Sequence, residues 1–218
     1  MRWGKPIVLL LGFALLLWLR AGYAEPGPGL AGNGPAPGHI LVFGDSLSAE
    51  YGLPRGSGWV GHIEQRLAAR KQAYQIRNAS ISGDTTMGGL QRLPQTLREF
   101  SADIVVLQLG ANDGLRGLPV AAMKDNLREM IALSQTQGAE VLLVGQHIPP
   151  NYGQRYAREF HGAFAELARE TGATLVPFML EGIATEPGMF QPDGLHPTVE
   201  AQRHIADTIW AGLEPLLK

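Results

Sequence analysis

Between residues 39 and 218, short unbroken apolar runs alternate with longer stretches in which apolar positions recur every three or four residues. The runs ILVF (40–43), YQIRN (74–78), DIVVLQLG (103–110), AEVLLVGQ (139–146) and TLVPF (174–178) predict strands. The stretches Trp59–Lys71, Thr85–Phe100, Val120–Gln137, Tyr152–Glu170 and Thr198–Leu217 predict helices, the second interrupted at Pro94. Continuous apolar strands separated by helices mark a parallel sheet covered on both faces. The chain therefore predicts an α/β fold, doubly wound in a flavodoxin-like strand order. In the last helix Ile205, Ile209, Leu213 and Leu216 form a stripe that reads as core packing.

The N-terminal region breaks this rhythm. Residues 1–24 carry a basic start (Arg2, Lys5), an apolar run from Ile7 to Leu19, and small residues Gly22 and Ala24 at a cleavage-type site. The run is shorter than the roughly 20 residues of a membrane span. It is read as an export leader, which places the mature protein in the periplasm or outside the cell without stable membrane insertion. Residues 25–38, EPGPGLAGNGPAPG, are almost all Gly, Pro and Ala and read as a linker, leaving 39–218 as one domain. The chain has no cysteine, so its core alone must hold the fold. The full chain has 18 basic and 20 acidic residues; removing the leader takes Arg2, Lys5 and Arg20 and leaves a net charge of −5. That balance offers no footprint for nucleic acid.

Ligands of doubly wound sheets bind at the carboxyl ends of the strands, so the loops there are where chemistry is to be sought. They carry Gly44-Asp45-Ser46, NASISGDT (78–85), GANDG (110–114), QHIPPNYG (146–153) and QPDGLHPT (191–198). Asp193 stands three residues before His196, a spacing that lets a carboxylate hold Nδ1 and leave Nε2 facing a nucleophile. Pro197 biases His196 away from helix, and Thr198 is placed to cap the helix that follows. A helix start beneath Ser46 would supply N–H groups and a positive dipole end to an oxyanion. Gly83, through its backbone N–H, and Asn112, through its amide, are candidate oxyanion donors. Taken singly, each residue has a plainer role as a cap, turn or loop residue; together they converge on one sheet edge. Asp45, Asp84 and Asp113 read as carboxylates that bond turn backbones.

GDSLS (44–48), Gly83 in SGDT, GAND (110–113) and DGLH (193–196) resemble the four blocks of the SGNH, or GDSL, serine hydrolases. Within that family the chain is similar to the group of bacterial secreted arylesterases, lysophospholipase L1 and acyl-CoA thioesterase I. The resemblance implies a three-layer α/β/α sandwich with a five-stranded parallel sheet. It implies Ser46 as nucleophile, His196 as general base and acid, and Asp193 as its orienting carboxylate. The Ser46 N–H, the Gly83 N–H and Asn112 would form the oxyanion hole. It also implies no metal or organic cofactor and a small ester or lysophospholipid substrate; a monomer is a separate expectation. Leu53, Leu115, Pro150 and Tyr152 are expected to wall an acyl groove. Glu50 departs from the family pattern, which leads one to expect a small residue there, and its carboxylate is expected to alter the mouth of the site. Competing readings are a carbohydrate acetyl esterase of the same family, a metal-dependent phosphatase using the strand-end aspartates, and a flavodoxin-like cofactor-binding module.

Overall fold

The computed structural model describes residues 37–218 together with Met1. The expected leader (1–24) and the linker up to residue 36 lie outside the described residues. Five strands form one parallel sheet: β1 (Gly38–Gly44), β2 (Tyr74–Asn78), β3 (Ile104–Gln108), β4 (Glu140–Val144) and β5 (Thr174–Val176), in the order β2-β1-β3-β4-β5. This is the expected flavodoxin-like order, with its switch point between β1 and β3.

Because side chains alternate across a strand, each central strand feeds two cores. Leu41 and Phe43 of β1, Val105 and Leu107 of β3, and Val141 and Leu143 of β4 face one layer of helices. That layer holds α2 (Thr86–Glu99), α4 (Val120–Thr136) and α5 (Gln154–Thr171), through residues such as Leu93, Leu127, Phe160 and Phe164. Ile40, Val42, Ile104, Val106, Leu142 and Val144 face the opposite layer of α1 (Trp59–Ala69) and α6 (Val199–Leu213). The predicted stripe Ile205, Ile209, Leu213 and Leu216 is buried there, against the sheet.

Three local features differ from expectation. Pro94 does not interrupt α2, which runs through it. An interior proline removes one backbone bond and costs about 3 kcal/mol in an isolated helix. Here buried Leu93, Thr96 and Leu97 anchor the turns around it, and Thr85 caps the start by accepting from the Gly88 N–H. Thr198 stands at the N-cap position of α6 in extended backbone, but its hydroxyl makes no capping bond. A short helix, α3 (Ala111–Leu115), follows Gly110, whose φ of 119° lies where glycine is favoured; no periodicity marks so brief an element.

Candidate active site

Ser46 follows β1 at the switch point, in a run of turns rather than at a helix start. Asp45 organises these turns: its carbonyl accepts from the Ser48 and Ala49 N–H groups at 3.1 and 2.9 Å, and its Oδ1 accepts from the Leu47 N–H at 3.1 Å. The donors that a helix N-terminus would have offered are therefore spent on Asp45. Left-handed backbone at Glu50 (φ 58°) and Gly52 (φ 71°), then Pro54, prevents the helix from continuing, and α1 begins only at Trp59.

Beneath the turn lies a buried polar network. Gln108, at the end of β3, donates from Nε2 to Asp45 Oδ1 at 3.0 Å and accepts from the Ser48 hydroxyl at 2.6 Å. Asn112 Nδ2 on α3 donates to Asp45 Oδ2 at 3.3 Å. Burial, only partly offset by these bonds, pushes the Asp45 carboxyl up to about 6. Gln108 was not singled out from the sequence, although a glutamine ending the run IVVLQ is a polar residue in an otherwise apolar strand.

The second arm comes from the loop before α6. His196 Nε2 lies 2.9 Å from Ser46 Oγ, and Nδ1 lies 2.6 Å from Asp193 Oδ2. Asp193 Oδ1 accepts from the Leu195 and His196 N–H groups at 2.9 and 3.0 Å. These bonds, led by that from the His196 backbone, pull the Asp193 carboxyl down to about 2. An ionised Asp193 accepts a hydrogen bond from Nδ1–H, which leaves the Nε2 lone pair toward Ser46. Gln191 clips this loop to the serine turn, donating from Nε2 to the carbonyls of Tyr51 at 2.9 Å and Pro197 at 3.1 Å. The Tyr51 ring covers the imidazole, with centroids 4.3 Å apart.

A cavity of about 780 Å³ opens beside the pair, walled by Leu47, Leu115, Ile148, Phe178, Phe190 and Leu195. Ser46 and Asn112 line it. Gly83 (φ 79°) sits on the neighbouring turn, which is tied to β1 by the Ile81 N–H donating to the Gly44 carbonyl at 3.0 Å. Arg116 Nη2 donates to the Gly83 carbonyl at 2.9 Å.

Of the residues expected to wall the groove, Leu115 does so. Leu53 lies outside the lining, in the turn that follows Glu50. Tyr152 does not line it either; its hydroxyl donates to the Leu115 carbonyl at 3.0 Å and so steadies a wall residue from behind. Pro150 starts a short 3₁₀ turn (Pro150–Tyr152), and its side chain lies outside the described residues. Glu50 does not shape the mouth: its carboxylate turns away to accept from the Gly56 and Gly58 N–H groups at 2.9 and 2.8 Å, clasping the loop before α1. Asp113 bonds backbone as expected, accepting from the Thr86 N–H at 2.9 Å. Asp84 instead pairs with the Arg92 guanidinium at 2.7 Å.

Such an arrangement is chemically able to carry out acyl transfer, and residues 42–204 match the GDSL-like Lipase/Acylhydrolase family. The chain belongs to that family. It is 46% identical over 178 residues to Esterase TesA of Pseudomonas aeruginosa, covering 82% of this chain and 89% of the relative. It is 35% identical over 216 residues to Thioesterase 1/protease 1/lysophospholipase L1 of Escherichia coli K12, covering 99% and 94% respectively. Among solved structures, the psychrotrophic esterase EstA from Pseudoalteromonas sp., inhibited by monoethylphosphonate, aligns with a TM-score of 0.78 at 40% identity, covering 81% of this chain and 97% of that one. The GDSL family member described here is a serine hydrolase of carboxylic esters, with a small-molecule ester as its substrate. Among the described residues, no helix is long and apolar enough to cross a membrane.

Proposed function

We propose that Ser46 is the nucleophile of this hydrolase, that His196 is its general base and then acid, and that Asp193 holds the imidazole. The observation that carries this reading is the continuous relay from Ser46 Oγ through both nitrogens of His196 to Asp193, spanning 150 residues of chain and bordering an apolar cavity. Ser46 Oγ attacks the ester carbonyl as its proton passes to Nε2, and Asp193 stabilises the imidazolium. The tetrahedral oxyanion is met by the Ser46 and Gly83 N–H groups and the Asn112 amide. His196 then gives its proton to the departing alcohol or thiol. Water, deprotonated by the same nitrogen, releases the acid and restores Ser46.

The cavity falls within the usual size range for small-molecule sites, about 300–1,000 Å³, and its walls suit an alkyl or aryl group. The substrates proposed are aryl esters and lysophospholipids, with acyl thioesters as a further class on the strength of the Escherichia coli relative's name. The protein is proposed to act after export, with residues 1–24 as leader, and as a monomer.

The test is hydrolysis of nitrophenyl esters from acetyl to palmitoyl by the mature chain and by Ser46→Ala. A loss on the order of 10⁶-fold in the variant is expected. A rate optimum beyond acetyl supports the lipid reading, whereas activity confined to acetyl esters points to an acetyl esterase. Retained activity in Ser46→Ala refutes the nucleophile.

A further inference from the structure

One titratable side chain in the cavity is left unused by this mechanism. Among the described residues lining the cavity there is no aspartate, glutamate, lysine or arginine, and besides His196 the one imidazole is that of His147. His147 follows β4, with its ring stacked on Phe178 at a centroid distance of 3.9 Å and an interplanar angle of 7°. His161 of α5 meets the imidazole edge-on, at 3.7 Å and 76°. The histidine is thus held by two rings from different elements at the wall of an otherwise uncharged pocket.

We propose that His147 is a specificity residue that reads the charge of the substrate's tail: neutral, it admits uncharged tails; protonated, it favours a tail ending in a fixed anion such as a sulfonate or phosphate. The inference rests on the Ser46 reading of the same cavity. Its physical basis is that the cavity lining itself supplies no carboxylate to pair with a protonated His147. The groups facing His147 are His161, whose charge opposes protonation, and Glu181, which follows β5 and favours it. Burial together with His161 lowers the His147 pKa below the ordinary value of 6.5, so the ring is neutral at pH 7 and gains its charge as pH falls.

The test compares kcat/KM for 4-nitrophenyl hexanoate and 4-nitrophenyl 6-sulfohexanoate between pH 8 and pH 5. Both esters meet the same free enzyme, so any ionisation that affects both equally cancels in their ratio. The sulfonate itself stays anionic throughout. The ratio of sulfonated to neutral ester is expected to rise about two- to fivefold as pH falls, the range of a partly exposed ion pair. It should be flat in His147→Gln. In His161→Gln the rise should begin at higher pH, because the opposing charge is gone. A flat ratio in the wild type, no turnover of the sulfonated ester at any pH, or the same rise in His147→Gln overturns the proposal while leaving Ser46 in place. Failure to hydrolyse either ester refutes the serine reading and takes this inference with it.

Discussion

Two aspartates stand at the two arms of the site, and each accepts three hydrogen bonds. Asp45 takes them from Leu47, Gln108 and Asn112, and Asp193 from Leu195 and twice from His196. Their acidities nevertheless move in opposite directions, Asp45 up to about 6 and Asp193 down to about 2. The difference is solvent and partner. Asp45 is 0% exposed with neutral donors at 3.0 Å or more, so desolvation of its charge dominates. The Asp193 side chain is 40% exposed, its bonds include one of 2.6 Å to an imidazole, and two backbone N–H groups hold its other oxygen. One carboxylate is built to shape a turn, and the other to remain an anion.

The largest effect that would break this contrast is at the exposed arm. Asp193→Asn presents an amide that can donate to Nδ1, stabilising the wrong tautomer, and should lower kcat by about 10⁴-fold with the fold intact. Steady-state kinetics beside a thermal melt will check both halves. In the buried arm, Asp45→Asn keeps one acceptor but turns an N–H₂ toward another donor, and so loosens Asn112 or Gln108. The expected loss is about 10²-fold in kcat with KM little changed, comparable to removing one oxyanion donor. A loss of KM alone would contradict the link from Asp45 to the reacting atoms.

Stability against pH should separate the same two residues. Asp45 has a folded pKa above its ordinary value of 3.8, so its contribution is most favourable below pH 3.8, declines as pH rises toward 6, and is constant above. That decline is on the order of 3 kcal/mol and should vanish from denaturation midpoints of Asp45→Asn. Asp193 has the opposite sign: its contribution is present above pH 3.8 and is lost as pH falls through about 2. If both variants flattened the same limb, the contrast would be wrong. The smallest effect belongs to Glu50. Glu50→Ala should cost about 1–2 kcal/mol by freeing the Gly56 and Gly58 N–H groups, with turnover unchanged; a marked fall in kcat would return Glu50 to the site.

Much of this was legible in the chain. YQIRN coincides with β2, the alternating apolar runs implied the parallel sheet, and the motif aspartate, histidine and serine meet within hydrogen-bonding distance. What misled was local logic applied where tertiary contacts rule. A strand-to-turn serine suggested a helix start, yet Asp45 consumed the donors. Pro94 suggested a break, yet flanking core residues held the helix. Leu53 and Tyr152 were near the site in sequence but not in its wall, whereas Gln191 and His147 entered it from loops whose approach depends on packing.

By itself the sequence determined the layered α/β architecture and the family motifs, because both rest on short-range regularities: the period of burial and residue types at fixed spacing. Only the tertiary structure decided which way each polar side chain turned. Asp45 was committed to a buried network, Glu50 to a clasp away from the mouth, and His147 to an aromatic stack in the cavity wall. Such choices depend on partners tens of residues away and on whether water reaches the group, and neither is written in a local stretch of chain.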